Sequence, residues 1–277
     1  MTKVSIIVRT CNRPQVLKNA LDSIRNQTYK NIETVVVEDG KNVSEKMIRT
    51  RYADMDIVYR ATGERKGRTV AGNLGLQTAT GEYFNFLDDD DILYPNHVET
   101  LLKAIQDNAV DAAYGIAEES QTVKQSDKPY RIKEKRKLIR YQQPYNRLLL
   151  YSFNYLPIQS VLFSRMFFDQ CGGFDENLDV LEDWDLWVRY STAGNFMLIP
   201  EITSKYYVPY RGGKKKKRGK ELDAALAKVR KKFEQYELQC TAGDLQKDMD
   251  YVINVYNQKK ILYYLKQVWN FFVYGDR

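Results

Sequence analysis

"EYFNFLDDDDILYP", residues 82–95, is the stretch whose reading decides the fold. Tyr83 to Leu87 form a short aromatic and aliphatic run, the pattern of a strand covered on both faces. Four carboxylates, Asp88 to Asp91, follow it without a gap. A carboxylate costs several kcal/mol to bury unpaired, and each acid raises the pKa of its neighbours. A lone Asp-Asp pair would read as a solvated turn or a helix cap. Four acids fixed to the end of a buried strand point instead to a hard-oxygen site for Mg²⁺ or Mn²⁺, ions that usually also hold substrate phosphates.

Working outward, strand and helix alternate through the first hundred residues. "VSIIVRT" (4–10) and "IETVVVED" (32–39) are strands, and "DIVYR" (56–60) is a third. Between the first two, Pro14 suits a first helical turn, and Val16, Leu17, Ala20, Leu21 and Ile24 recur at helical spacing. Further helices are expected from Ser44 to about Met55 and over Thr69–Ala79. This alternation argues for an α/β fold with a mostly parallel, Rossmann-like sheet covered by helices. In such sheets ligands bind beyond the carboxyl ends of the strands. Thr10, Asp39 and Asp88–Asp91 all fall there.

The second half is less regular. "DAAYGIAEE" (111–119) reads as a strand, and residues 124–140, with eight Lys and Arg against Asp127 and Glu134, read as a hairpin or mobile loop. "LEDWDLWVRYSTAG" (181–194) reads as an amphipathic helix whose early acids, Glu182, Asp183 and Asp185, complement the helix dipole. After strands near 196–208 comes "RGGKKKKRGK" (211–220), a glycine-flanked basic loop, and then two helical segments, about 220–239 and 244–274.

Charge is distributed unevenly. The net charge is +7, yet residues 205–232 alone carry twelve Lys and Arg against Glu221 and Asp223, which leaves the rest of the chain slightly acidic. The basicity is regional, so nucleic-acid binding does not follow from it. A nucleic-acid module would show salt-sensitive polynucleotide binding. The three cysteines, Cys11, Cys171 and Cys240, lack metal-ligand spacing, and a reduced cytoplasmic setting is expected. No window approaches the ~20 apolar residues of a membrane span. In "KKILYYLKQVWNFFVYG" (259–275), however, Ile261, Leu265, Val268 and Phe272 share one helical face. That face suits either peripheral contact with the membrane's inner surface or packing on protein.

Three stretches together resemble family-2 glycosyltransferases of the GT-A fold, over about residues 3–208: "SIIVRTCNRPQVLKNALDSIRNQTYKNIETVVVEDG", "NLGLQTATGEYFNFLDDDDILYPNHVE" and "GGFDENLDVLEDWDLWVRYSTAG". The resemblance implies a nucleotide-sugar donor, UDP-linked or dTDP-linked, and inversion at the anomeric carbon. It implies Thr10 in the nucleotide pocket and Asp39 accepting a hydrogen bond from the pyrimidine. Asp88 and Asp90 correspond to the DxD element, Asp88 toward the ribose and Asp90 on Mn²⁺ or Mg²⁺, and Asp183 to the general base. Family members often carry Arg where this chain has Gly72, so Arg68 or Lys66 is expected to supply the missing phosphate contact. Trp184 and Glu182 are expected near the acceptor, a glycan or lipid-linked molecule of bacterial surface polysaccharide synthesis. The expected organisation is a catalytic domain over 1–210 (nucleotide half 1–110, acceptor half 111–210), a basic loop over 211–219 and a helical extension over 220–277. A metal-dependent nucleotidyltransferase is the competing enzyme class, although no early Gly-rich, Lys-bearing phosphate loop is present.

Overall fold

The structure, a computed structural model, describes residues 1–127, 130–210, 215–237, 240–255 and 257–258. The chain opens with β1 (Val4–Thr10), α1 (Pro14–Arg25), β2 (Ile32–Glu38), α2 (Glu45–Arg51), β3 (Ile57–Ala61), α3 (Arg68–Thr78) and β4 (Tyr83–Asp88). A two-residue β5 (Ile92–Leu93) precedes α4 (His97–Asn108), then β6 (Ala112–Asp127), β7 (Tyr130–Ile139) and α5 (Arg147–Ser152). After β8 (Val161–Ser164) come α6 (Arg165–Cys171), α7 (Glu182–Ala193), β9 (Phe196–Pro209) and α8 (Lys215–Phe233).

Strands are ordered β3-β2-β1-β4-β8-β6-β9-β5, with β7 paired to β6. The β3-β2-β1-β4 half is wholly parallel, whereas β8 runs antiparallel to both β4 and β6. Alternation along β1 divides the core in two. Ile7 joins Val35, Val37, Phe84 and Phe86 on the face covered by α3 and α7. Ile6 and Val8 join Val36 and Leu87 on the face covered by α1 and α4. Both faces are buried, so a slip of one residue would reverse every side chain.

Close approach of α3 to β1 requires Gly75, where an added Cβ would lie 2.3 Å from Ile7 Cγ2. Gly75→Ala is therefore expected to lower stability by about 1–3 kcal/mol through overpacking, read as a lower thermal midpoint with the donor cleft left in place.

Several expectations change in detail. The described residues of the 124–140 segment extend two antiparallel strands, with β7 paired to β6, which pairs with β9 along its earlier residues. The strands near 196–208 are one 14-residue strand, β9. Helix α8 starts at Lys215, inside the stretch read as a loop, because Lys and Arg favour helix and only Gly219 opposes it. Residues 242–255 are helical, opened by a reciprocal cap in which Thr241 Oγ1 accepts from the Asp244 N–H (3.1 Å) and Asp244 Oδ2 accepts from the Thr241 N–H (3.3 Å). The apolar segment 259–277 lies outside the described residues. Among the described residues, no helix is long and apolar enough to cross a membrane.

His97, in the first turn of α4, is fully buried beneath β9. Its Nδ1 lies 2.9 Å from Thr203 Oγ1, and Nε2 has no partner. Burial pushes its pKa down to about 3, against ~6.5 in an unfolded chain. Protonation below pH 6.5 therefore favours the unfolded state, and stability falls as pH drops from 6.5 toward 3. At pH 5 the loss from this group is about 2 kcal/mol. Urea melts at pH 7 and pH 5 should show it, and His97→Phe should flatten the dependence.

Candidate active site

Because β2, β1 and β4 are adjacent and parallel, their carboxyl ends lie side by side. Thr10, Asp39, Asp88 and Asp90 line one cleft of about 460 Å³, which also takes in Arg9, Arg13, Arg65 and Arg68. The convergence expected from three strand ends is present in the structure.

Within the acidic run the four carboxylates have separate fates. Asp89 is fully buried. It accepts a 2.6 Å hydrogen bond from Thr10 Oγ1 and is gripped by Arg13 through Nε (3.0 Å) and Nη2. Burial pushes its carboxyl up to about 7 against the pull of Arg13. Asp91 is also buried and accepts from the Tyr207 N–H of β9 at 3.2 Å. Burial and the neighbouring acids hold its carboxyl well above the usual range. These two tie the run to the scaffold. Asp88 and Asp90, with side chains 27% and 40% exposed, face the cleft. Asp88 Oδ1 accepts from Arg9 Nε (2.8 Å) and lies 2.7 Å from Arg9 Nη2, while Arg13 Nη1 donates to Asp90 Oδ2 at 3.2 Å. The pair that resembles the DxD element is thus the pair left accessible.

Asp39 sits on the opposite wall. Its Oδ1 accepts from the Lys66 N–H (2.7 Å), and its Oδ2 from the Gly67 N–H (3.1 Å). Gly67, at φ 107°, allows the loop to turn both amides onto the carboxylate before α3 begins. Arg68, first in α3, reaches the other side of the cleft, with Nη1 3.4 Å from Glu182 Oε1.

Helix α7 brings the second acidic motif to the same region. Leu181, just before it, adopts the left-handed φ of 63°, uncommon for a non-glycine residue, and so sets the entry of Glu182 and Asp183. Asp183 is half-buried; its Oδ2 accepts from Asn154 Nδ2 (2.9 Å) and its Oδ1 from the Trp184 N–H (2.9 Å). Burial first, then the neighbouring Glu182 charge, pushes its carboxyl up to about 7. Asp185 faces away, paired with Arg189 Nε (3.0 Å) and Lys232 Nζ (2.7 Å), and is structural.

Trp184 is a correction. Its ring is buried against Phe233 and its indole N–H donates to the Leu150 carbonyl at 2.6 Å, so it offers no stacking face to an acceptor. At helical spacing, the residue after Asp183 turns to the core side of α7. Glu182 is likewise buried, yet it faces Arg68 and Arg9, not open cleft. Cys11 is half-buried on the cleft wall. The arginines Arg9, Arg13 and Arg65 were missed by motif reading. Their signal was local: two arginines flank the strand end that carries Thr10.

With this geometry in view, the class is defined: the chain belongs to glycosyl transferase family 2, whose family model matches residues 5–172. It is 31% identical over 208 residues to an uncharacterised glycosyltransferase of Rickettsia prowazekii, a match covering 73% of this chain and 63% of the relative. The chain thus spans just under two thirds of that relative's length. It is 30% identical to the uncharacterised glycosyltransferase YwdF of Bacillus subtilis, over 72% of this chain and 71% of the relative. Among solved structures, S. aureus TarS 1–349 in complex with UDP-GlcNAc superposes with a TM-score of 0.61 at 19% identity, over 76% of this chain and 59% of that one. The mannosyltransferase PcManGT from Pyrobaculum calidifontis, in complex with GDP-Man and Mn²⁺, gives 0.59 at 21% identity, over 82% and 64%. The fold is GT-A.

Proposed function

We propose that the protein is an inverting glycosyltransferase that moves a sugar from a nucleotide diphosphate, most simply UDP, to a hydroxyl of a glycan or lipid-linked acceptor. The observation that carries the reading is one cleft lined by strand-end carboxylates and four arginines, two of which, Arg9 and Arg68, approach Glu182, the neighbour of Asp183 on α7. Arginine forks suit a diphosphate, and Asp39 with its loop suits the edge of a pyrimidine ring. Asp183, kept poorly solvated, is a carboxylate near neutral pH with unusual basicity, the property a general base for a sugar hydroxyl needs. With the leaving diphosphate on the Asp88 side and the base across from it, a single displacement inverts the anomeric centre.

Asp88 and Asp90 fit a Mg²⁺ or Mn²⁺ ion, being hard-oxygen donors accessible on the cleft wall. Among the described residues, no group of three or more His, Cys, Asp or Glu is assembled as a metal cage. This suits an ion completed by substrate phosphates, as Mg²⁺ commonly is. Such an ion would neutralise charge on the leaving diphosphate. Support for the donor class comes from the neighbours, TarS with UDP-GlcNAc and PcManGT with GDP-Man and Mn²⁺. Bacterial surface polysaccharide is the proposed product class, with work at the inner face of the cell membrane.

A panel of nucleotide sugars screened for thermal stabilisation with Mn²⁺ is the test. A ligand that binds only the folded state at a hundred times its Kd adds about 2.7 kcal/mol. UDP or a UDP-sugar is expected to shift the midpoint. Stabilisation by nucleoside triphosphates alone would favour a nucleotidyltransferase.

A further inference from the structure

We propose that Arg9 is a positioning residue that locks the donor-side carboxylate Asp88 and the acid pair of α7 into one unit. The inference rests on the glycosyl-transfer reading above and adds a residue to its machinery. Arg9 and Asp88 are register partners on neighbouring strands, so their side chains leave the sheet together. Two guanidinium nitrogens converge on Asp88 Oδ1, at 2.8 and 2.7 Å. The third, Nη1, points the other way and lies 3.6 Å from Glu182 Oε1, beyond hydrogen-bond reach. It is buried and has no hydrogen-bond partner. A buried N–H left unpaired is costly, and its nearest anion is the residue next to Asp183.

The setting is built to hold this side chain. Arg9 is 5% exposed, and its guanidinium carbon stands 5.7 Å from the Phe86 ring centroid and 5.4 Å from that of Phe174. Phe174 owes its place to Gly72, where an added Cβ would lie 2.5 Å from the ring and 3.6 Å from Arg9 Cδ. A side chain at position 72 would therefore compete with the Phe174–Arg9 stack. The cation next to α3 comes from β1, held between two aromatic rings and two acids. Without it, Asp88, Glu182 and Asp183 would face one another across a poorly solvated space and repel.

A cycle of four proteins tests the link: wild type, Arg9→Met, Glu182→Gln and the double variant, with transfer followed at saturating donor. Arg9→Met is expected to lower kcat at least ~10-fold, since a misplacement of about 1 Å can cost more than that. In the Glu182→Gln background the same change should cost several-fold less than in the wild type, because the half of the link that reaches α7 is already cut and only the Asp88 half is still lost. Fold-changes that simply multiply would overturn the proposal. Arg9→Lys keeps the charge without the fork and guards against misfolding of Arg9→Met; it is expected to recover only part of kcat, and full recovery would overturn the two-acid link. The charges acting on Asp183 are Glu182, which pushes its carboxyl up, and Arg9, which pulls it down. Titrating the Asp183 carboxyl carbon by NMR needs no turnover, and its midpoint should rise in Arg9→Met. An unchanged midpoint would overturn the link by itself. A wild-type chain that transfers no sugar would instead count against the glycosyl-transfer reading, with the NMR result still deciding Arg9.

Discussion

Asp183→Asn should bind a nucleotide-sugar donor as the wild type does and transfer sugar at least ~10²-fold more slowly, the usual scale for loss of a general base. Its carboxyl accepts from Asn154 Nδ2 and the Trp184 N–H and is not among the groups that line the cleft with Asp39, Asp88 and Asp90, so the donor is expected to lose no contact. The pH dependence has a definite sign. Because the carboxyl titrates at about 7, wild-type kcat should rise with pH through that value and level off above it. Stability runs the other way. An acid whose folded pKa is raised contributes stability below its unfolded pKa of ~3.9, and this is lost as pH rises through the folded value. Asp183→Asn should therefore melt higher than wild type at pH 8 and about equally at pH 4, a trade of stability for activity. Stopped-flow or coupled assays and thermal melts read the two effects separately. Near-normal turnover in Asp183→Asn, with loss in Asp185→Asn at unchanged stability, would assign the base wrongly.

Asp90→Asn should weaken Mn²⁺-dependent UDP binding at least ~10-fold, about 1.4 kcal/mol, while the protein stays folded. Asp90 is the most exposed acid of the run, with Arg13 Nη1, itself on an exposed side chain, donating to it at 3.2 Å. Asp89→Asn is the informative contrast. It removes a buried carboxylate that Arg13 and Thr10 both engage, loosening the guanidinium to its contact with Asp90, and should cost stability whether or not metal is added. Calorimetry of UDP with and without Mn²⁺ separates the two. Wild-type affinity in Asp90→Asn would remove the metal assignment.

The parallel half of the sheet was legible because β1, β2 and β4 are short runs dominated by β-branched and aromatic residues, β1 followed by Asn12-Arg13-Pro14, β2 by Asp39-Gly40 and β4 preceded by Gly81. The convergence of Thr10, Asp39 and Asp88 then follows from adjacency of β2, β1 and β4. What the sequence hid depends on contacts distant along the chain. Nothing local separates the buried Asp89 and Asp91 from the accessible Asp88 and Asp90; their roles depend on Arg13 and on the backbone of β9. His97 looks like any polar residue in a first helical turn, and only the packing of β9 above it buries the ring. Trp184 was misplaced for a similar reason, since its partners Leu150 and Phe233 lie on other helices. Arg9 read as the polar end of a strand, and its significance appears only once Phe174 and Glu182 surround it.

The seat of α8 bears on how the protein can be cut down. Lys232 Nζ spans Asp175 Oδ2 and Asp185 Oδ1, both at 2.7 Å, while Tyr236 OH adds a 3.2 Å bond to Asp185. Val229 is fully buried, and Phe233 closes edge-on over Trp184 and Tyr151. The family match stops at residue 172, and the last strand of the sheet at Pro209, which makes a fragment ending near 210 attractive for expression. Such a fragment would bare the Trp184 ring and strip Asp185 of its Lys232 partner directly behind the helix that carries Asp183. A minimal soluble unit should instead retain the chain through Tyr236, and crystallisation or engineering campaigns gain most by placing their truncations after that residue.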